Sequence, residues 1–232
     1  MALRRRRSHA ARAYAGAPLP SLDTPWRRAD YAVVDLETTG LDPRRDEIIS
    51  FACVPVRGGR ALIGAAAKTE VRPGRMPGAD TIRIHGLRES DLLAAPKPER
   101  ALETMLEALS GRILVAHAAW VETGFLSTAL RRARLKLRGP VLDTAVLAQR
   151  VPEGAAAVGE RAVAPADSLP GLSRAAWALN LPVHRPHHAD GDALTTAQLF
   201  IAVAAQLEAV EPQTVGSLAE LSKADRRYER GR

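Results

Sequence analysis

"YAVVDLETTG", residues 31–40, is the stretch from which the rest of the chain can be read. Tyr31 to Val34 form a short apolar run of the kind that fills a buried strand, and Asp35 and Glu37 follow one residue apart. Alternate residues of a strand point to one face, so the two carboxylates stand side by side. Like charges at that separation cost free energy unless something positive lies between them. A divalent cation is one candidate. A solvated strand end, where acids are common, is the other.

Outward from this stretch, the pattern predicts a mixed sheet covered by helices. "GLDPRRDE" reads as a turn, "IISFACVPVR" as a second strand, Gly58–Gly59 as a hairpin turn and "ALIGAAAKTEVR" as a third strand. "PGRMPGADTIRIHGL" reads as a Gly/Pro-rich loop. In "ERALETMLEALSG" the apolar residues Leu102, Met105, Leu106 and Leu109 recur at helical spacing and stop at Gly111. "RILVAH" is a fully apolar strand of the type buried on both faces, and "AWVETGFLSTALRRARL" is a helix. "PVLDTAVLAQRV" reads as a strand running into another, and 152–168 as a flexible Ala/Gly/Pro-rich loop. "LPGLSRAAWALNL" and "DALTTAQLFIAVAAQLEAV" are helices. Hairpin strands followed by alternating helix and strand give an α/β fold with a five-stranded mixed sheet flanked by helices.

The 232 residues suit one domain with tails, and the 46% apolar content supplies ample core. The boundaries expected are a basic, flexible arm over 1–29, a domain over 30–208 and a polar tail over 209–232. No window has the roughly 18–20 uninterrupted apolar residues of a membrane helix, so no membrane partner is expected. Cys53 is the single cysteine. It excludes an internal disulfide and thiolate metal clusters, reads as a core residue, and fits a reducing, cytoplasmic setting. The net charge of +7 is uneven: residues 1–29 hold seven arginines and one acid, whereas the other 203 residues carry 26 basic and 25 acidic groups. Such an arm suits phosphate backbones or a solvated tail. Arginine outnumbers lysine 29 to 4 throughout, a bias that weakens any special reading of the arm.

Later segments supply partners for the first acidic pair. The helix after "RILVAH" carries Glu122, and "HHADGDALTTAQLF" places His187 and Asp192 at the start of another helix. A cluster of carboxylates without thiolates suits hard cations such as Mg²⁺ or Mn²⁺. Two such ions can stabilise both the attacking and the leaving oxygen in phosphodiester cleavage, and a histidine beside them has the chemistry to take a proton from water.

"VVDLETTGLDP", "IHGL", "LVAHAAWVETGFL", "LDTAVLA" and "HHADGDALTTAQLF" occur in the order found in DEDDh 3′–5′ exonucleases, and over about residues 30–205 the chain resembles that family. The family includes the proofreading epsilon subunit of bacterial DNA polymerase III. The resemblance implies a ribonuclease-H-like fold, a bacterial cytoplasmic protein and two bound Mg²⁺ or Mn²⁺ ions. It implies Asp35, Glu37, Glu122 and Asp192 as metal ligands and His187 as general base, with His188 a rival by type but not by spacing. Thr38, Thr39 and Gly40 match the segment that packs against the terminal nucleotide. His85 matches a residue near the scissile phosphate, with a turn-stabilising imidazole as the alternative. His117 and Asp143 match structural positions, and His184 reads as an exposed loop residue. The implied substrates are 3′ ends of single-stranded DNA or RNA, and a polymerase catalytic subunit is an implied partner.

One motif departs from the family. Where relatives read H-N-x-x-F-D, this chain reads "HAAWVE", with Ala118, Val121 and Glu122 in place of Asn, Phe and Asp. Glutamate keeps the charge but adds a methylene, which moves the carboxylate by about 1–1.5 Å on a fixed backbone; a misplacement near 1 Å can cost about 100-fold in rate. The readings left open are an active exonuclease, a catalytically weakened nucleic-acid-binding module, and a polymerase accessory subunit.

Overall fold

β1 (Asp30–Thr38) is flanked by β2 (Ile48–Arg57) and β5 (Ile113–Ala116), with β3 (Arg60–Ala61), β4 (Ala67–Glu70) and β6 (Val141–Asp143) outside them. This arrangement comes from a computed structural model that describes residues 7–151 and 170–223. The order is β3-β2-β1-β5-β6, and β4 pairs with the part of β2 that β3 leaves free. β2 runs antiparallel to β1, β3 and β4, whereas β1, β5 and β6 are mutually parallel. The mixed α/β class holds, with six strands among the described residues rather than five. The expected third strand is interrupted at Ile63–Ala65 by a single 3₁₀ turn, so its two ends pair with β2 separately.

The helices are α1 (His9–Gly16), α2 (Ala79–His85), α3 (Glu89–Leu93), α4 (Pro98–Leu109), α5 (Trp120–Arg132), α6 (Thr144–Arg150), α7 (Leu172–Ala178), α8 (Ala189–Val210) and α9 (Val215–Leu221). Two of the expectations change here. The stretch read as a loop before residue 87 contains α2, which ends on Gly86 in the left-handed conformation at φ 72°. "PVLDTAVLAQRV" is a strand only as far as Asp143. There the Asp143 side chain accepts from the Ala145 N–H, caps α6 and turns the chain helical. The loop expected over 152–168 lies outside the described residues.

Alternation along the strands divides the core. Tyr31, Val33, Ile113 and Val115 face Phe200, Val203 and Leu207 of α8, with Leu147 of α6 and Leu218 of α9 beside them. Ala32, Val34, Phe51, Cys53 and Leu114 face Met105 and Leu106 of α4 and Leu126 of α5. Each large side chain buried in this way contributes roughly 1.5–3 kcal/mol. α8 is long and apolar enough, by length and composition alone, to cross a membrane. Here its apolar side chains are the core of one layer, and Phe200 meets the Tyr31 ring at 4.8 Å and the Trp26 ring at 6.1 Å.

The described parts of both terminal segments, residues 7–29 and 209–223, pack onto the domain. Ala10, Ala11 and Tyr14 of α1 are buried against α4, because one face of that short helix is apolar. Arg138 donates to the carbonyls of Tyr14 and Ala17. Trp26 is fully buried, and its backbone N–H donates to the Gln213 carbonyl. Pro25 and Thr214 form a bridge, and Thr214 caps α9. Trp26 and α9 thus meet on the face of the sheet covered by α8, while α1 packs on the other.

Candidate metal centre and active site

The register that buries Tyr31 and Val33 carries Asp35 and Glu37 to the same face, toward α8. Pairing with β2 slips only after Glu37. Asp192 in the first turn of α8 completes the group: one carboxylate oxygen from each of Asp35, Glu37 and Asp192 lies within 4.8 Å of the others. All three are half-buried. Burial, then the charges of Glu122, Asp192 and Glu37, hold the Asp35 carboxyl well above the usual carboxylate range. Burial and Asp192 push Glu37 up to about 7, against the opposing charge of Lys68. Burial also raises Asp192, although the His187 N–H donates to its Oδ2 at 2.8 Å. Carboxylates brought together in this way hold their protons to higher pH than usual unless a cation is supplied. An all-oxygen donor set without thiolates fits a hard divalent ion.

Glu122 stands apart from this triple. It sits in the first turn of α5, 5% exposed, and its Oε2 has no hydrogen-bond partner. Burial pushes its carboxyl up to about 8, its own backbone N–H opposing and Asp143 and Glu37 adding to the rise. The separation follows from the layers: α8 covers one face of β1, while Phe125 and Leu126 of α5 belong to the other. Glu122 therefore approaches across the strand end, close enough for its charge to act on Asp35.

Asp143 fixes that approach. Its Oδ1 accepts from the Ala118 and Ala145 N–H groups and its Oδ2 from Ala119, which ties the end of β6 to the turn that starts α5. Ala118 is held at φ 54°, a left-handed conformation that asparagine tolerates better than alanine. His117 bonds Thr144 Oγ1 at 3.0 Å and the Pro170 carbonyl at 2.8 Å.

His187 lies in the exposed turn before α8, also left-handed at φ 60°, beside Asp192. His188 Nδ1 instead lies 3.2 Å from the Pro186 carbonyl. The turn packs directly on the helix: a Cβ on Gly191 would strike the His184 carbonyl and come within 2.6 Å of the Arg185 carbonyl. His184, expected to be an exposed loop residue, is half-buried, and its N–H donates to Thr195 Oγ1. After Glu37 the chain turns sharply. Thr38 Oγ1 donates to the Gly40 carbonyl, Thr39 Oγ1 to Asp46, and a Cβ on Gly40 would collide with the Asp46 carboxylate. The two threonine hydroxyls are engaged in the turn itself. His85 is 3% exposed; its Nδ1 accepts from the Leu87 N–H, while its Nε2 has no partner. Burial first, then the neighbouring His188, lowers its pKa.

Sequence reasoning missed Lys68. It lies on β4, 3.4 Å from both Glu70 and Asp190, and its charge reaches Glu37. No motif marks it, because only the pairing of β4 with β2 brings it to the mouth of the site.

Sheet order, layer arrangement and the carboxylate triple together define a ribonuclease-H-like nuclease class. The family model described as Exonuclease matches residues 32–200, and the chain belongs to this exonuclease family, of the DEDDh type. A "DNA polymerase III subunit epsilon-like protein" from Rhodobacter capsulatus is 32% identical over 206 residues, covering 88% of this chain and 28% of that protein. The "DNA polymerase III subunit epsilon" of Aquifex aeolicus is 28% identical over 183 residues, covering 76% of this chain and 81% of that one. The chain thus spans little more than a quarter of the Rhodobacter relative. Among solved structures, "Exonuclease X in complex with 5′ overhanging duplex DNA" superposes with a TM-score of 0.60 at 22% identity, covering 83% of this chain and 99% of that one. E. coli Exonuclease I in complex with a dA16 oligonucleotide gives a TM-score of 0.63 at 14% identity, covering 79% and 42% respectively.

Proposed function

We propose that the chain is a metal-dependent 3′–5′ exonuclease that releases nucleoside 5′-monophosphates from single-stranded nucleic acid, with DNA preferred over RNA. The observation that carries this reading is the convergence of Asp35, Glu37 and Asp192 within 4.8 Å at the end of β1. Mg²⁺ or Mn²⁺ would be held by these three carboxylates, with Glu122 reaching a second ion from the α5 side. Such ions neutralise the charge that develops on the phosphate and orient the attacking and leaving oxygens.

The chain's own groups do the rest. His187, exposed beside Asp192, takes the proton of the attacking water. Its N–H bond to Asp192 Oδ2 couples the position of the base to that of the ligand. The backbone of Thr38–Gly40, held by the turn bonds to Asp46, faces the sugar of the last nucleotide. The Nε2 of His85 has no hydrogen-bond partner but is buried, so it would meet a phosphate oxygen only where substrate entry uncovers it. An unpaired terminus can bring its last phosphate into the carboxylate cluster at the end of β1, which favours single strands. The preference for DNA rests on the names of the relatives. Their bacterial origin, together with the single buried Cys53, supports a reducing bacterial cytoplasm.

Wild-type protein incubated with 5′-labelled single-stranded DNA or RNA and Mg²⁺ or Mn²⁺ is expected to shorten the strand stepwise from its 3′ end. Asp35→Ala and His187→Ala should each abolish this. No shortening with either metal, with strand binding retained, would replace this reading with a weakened binding module. That second reading is favoured by the place of Glu122 outside the close triple. A polymerase catalytic subunit recovered with the protein from its native extract would support the accessory-subunit role.

A further inference from the structure

Two acid-free stretches of sequence come together at the end of the molecule away from the carboxylate cluster. Residues 1–22 contain no acid, and neither do residues 123–142. The structure joins their described parts: Arg7 donates to the Arg134 carbonyl, Tyr14 Oη to the Lys136 carbonyl, and Arg138 to the carbonyls of Tyr14 and Ala17. The resulting surface exposes Arg7, Arg12, Arg131, Arg132, Arg134 and Lys136. The neighbouring α4 carries Glu99, Glu103 and Glu107, and Glu103 is paired with Arg100. α5 starts beside the cluster at Glu122, and Arg131–Arg132 lie in its last turn, about 15 Å further along the axis at 1.5 Å per residue.

An arginine-rich composition alone does not explain this surface. Several exposed arginines elsewhere sit beside carboxylates, as in Arg57–Asp30, Arg75–Asp46, Arg83–Asp80 and Arg27–Glu208. Others, such as Arg28, Arg44 and Arg60, are in no ion pair among the described residues. This end is set apart by six cations brought together from two acid-free stretches. Among the described residues, none of the six cations at this end is paired with an acid. Guanidinium forks match phosphate oxygens, and the charge is too concentrated for an ordinary solvated face.

We propose that this surface is a second nucleic-acid contact, gripping the phosphate backbone of a strand whose 3′ end occupies the carboxylate site. It adds affinity only for nucleic acids long enough to span the two sites, and it rests on the exonuclease reading for what occupies the first one. The test is binding without cleavage, in chelator, using fluorescence anisotropy. The triple variant Arg131→Ala, Arg132→Ala, Lys136→Ala is compared with wild type on labelled single strands of roughly 30 and about two nucleotides. Each lost phosphate contact lowers the slope of log affinity against log salt by about 0.7. The expected result is at least about a tenfold loss on the long strand at low salt with a slope shallower by roughly 2, the short strand unaffected and Tm unchanged. Equal loss on both lengths, or unchanged affinity and slope on the long strand, overturns the proposal; the latter would leave an acidic protein as the occupant. Because binding is read in chelator, failure of wild type to cleave would count against the exonuclease reading alone.

Discussion

Glu122 is the residue at which function and stability pull apart most clearly. It is buried, its Oε2 is unpartnered, and its carboxyl is pushed up to about 8 by burial. Glu122→Gln keeps the shape and removes the charge. Metal-free protein carrying it is expected to melt a few degrees higher at pH 9, at about 2–4 °C per kcal/mol for a chain of this size, while losing at least about tenfold in metal-dependent cleavage. Glu122→Asp should raise cleavage if the extra methylene detunes the site, read as kcat under saturating Mn²⁺. The same residues set a pH dependence. Glu37 at about 7 and Glu122 at about 8 lie above the ordinary glutamate value of 4.5. The folded chain therefore holds protons that the unfolded chain has released, and stability falls as pH rises from near 4.5 through 7 and 8. In chelator, Tm is expected to drop between pH 5.5 and 9, and saturating Mn²⁺ should remove most of the drop. A Tm that rises across this range would contradict the assignment.

At the scale of the element, two short connections aim the site. The turn before α5 holds Ala118 at φ 54°, where an alanine costs roughly 1 kcal/mol that glycine does not. Ala118→Gly is expected to raise stability by about that amount without disturbing the Asp143 bonds to residues 118 and 119, as thermal melts would show. The turn before α8 is the opposite case. Gly191→Ala would drive a Cβ into the His184 and Arg185 carbonyls. A loss of about 1–3 kcal/mol is expected from overpacking. Cleavage should fall beyond what unfolding explains, because the same turn carries His187 and orients Asp192. Parent-like kcat in the folded fraction would separate packing from catalysis.

At the scale of the molecule, the segment before β1 is structural. Trp26 is fully buried against Phe200, and Ala10, Ala11 and Tyr14 are buried against α4. Trp26→Ala is expected to cost about 3–5 kcal/mol in denaturant unfolding. Removal of residues 1–29 should leave a chain that fails to give a cooperative transition. A truncated protein that melts like the parent would return the segment to the status of a free arm.

What the sequence determined by itself is what repeats locally. Short apolar runs gave β1 and β2, helical spacing gave α4, and the fixed offsets of Asp35–Glu37 and His187–Asp192 gave candidate residues of the site. These offsets survive folding because they lie within one strand or one turn. Tertiary structure alone decided three things. Residues 7–29 read as polar and basic, but a few apolar positions find a partner in α4 and in α9's flank of the sheet. Lys68 reaches the site only through the pairing of β4 with β2. Glu122 matches a motif position, yet it stands outside the triple because α5 packs on the opposite face of β1 from α8. Spacing along a chain fixes which side chains can share an element; the layer each element joins, set by burial of its apolar face, fixes which elements meet.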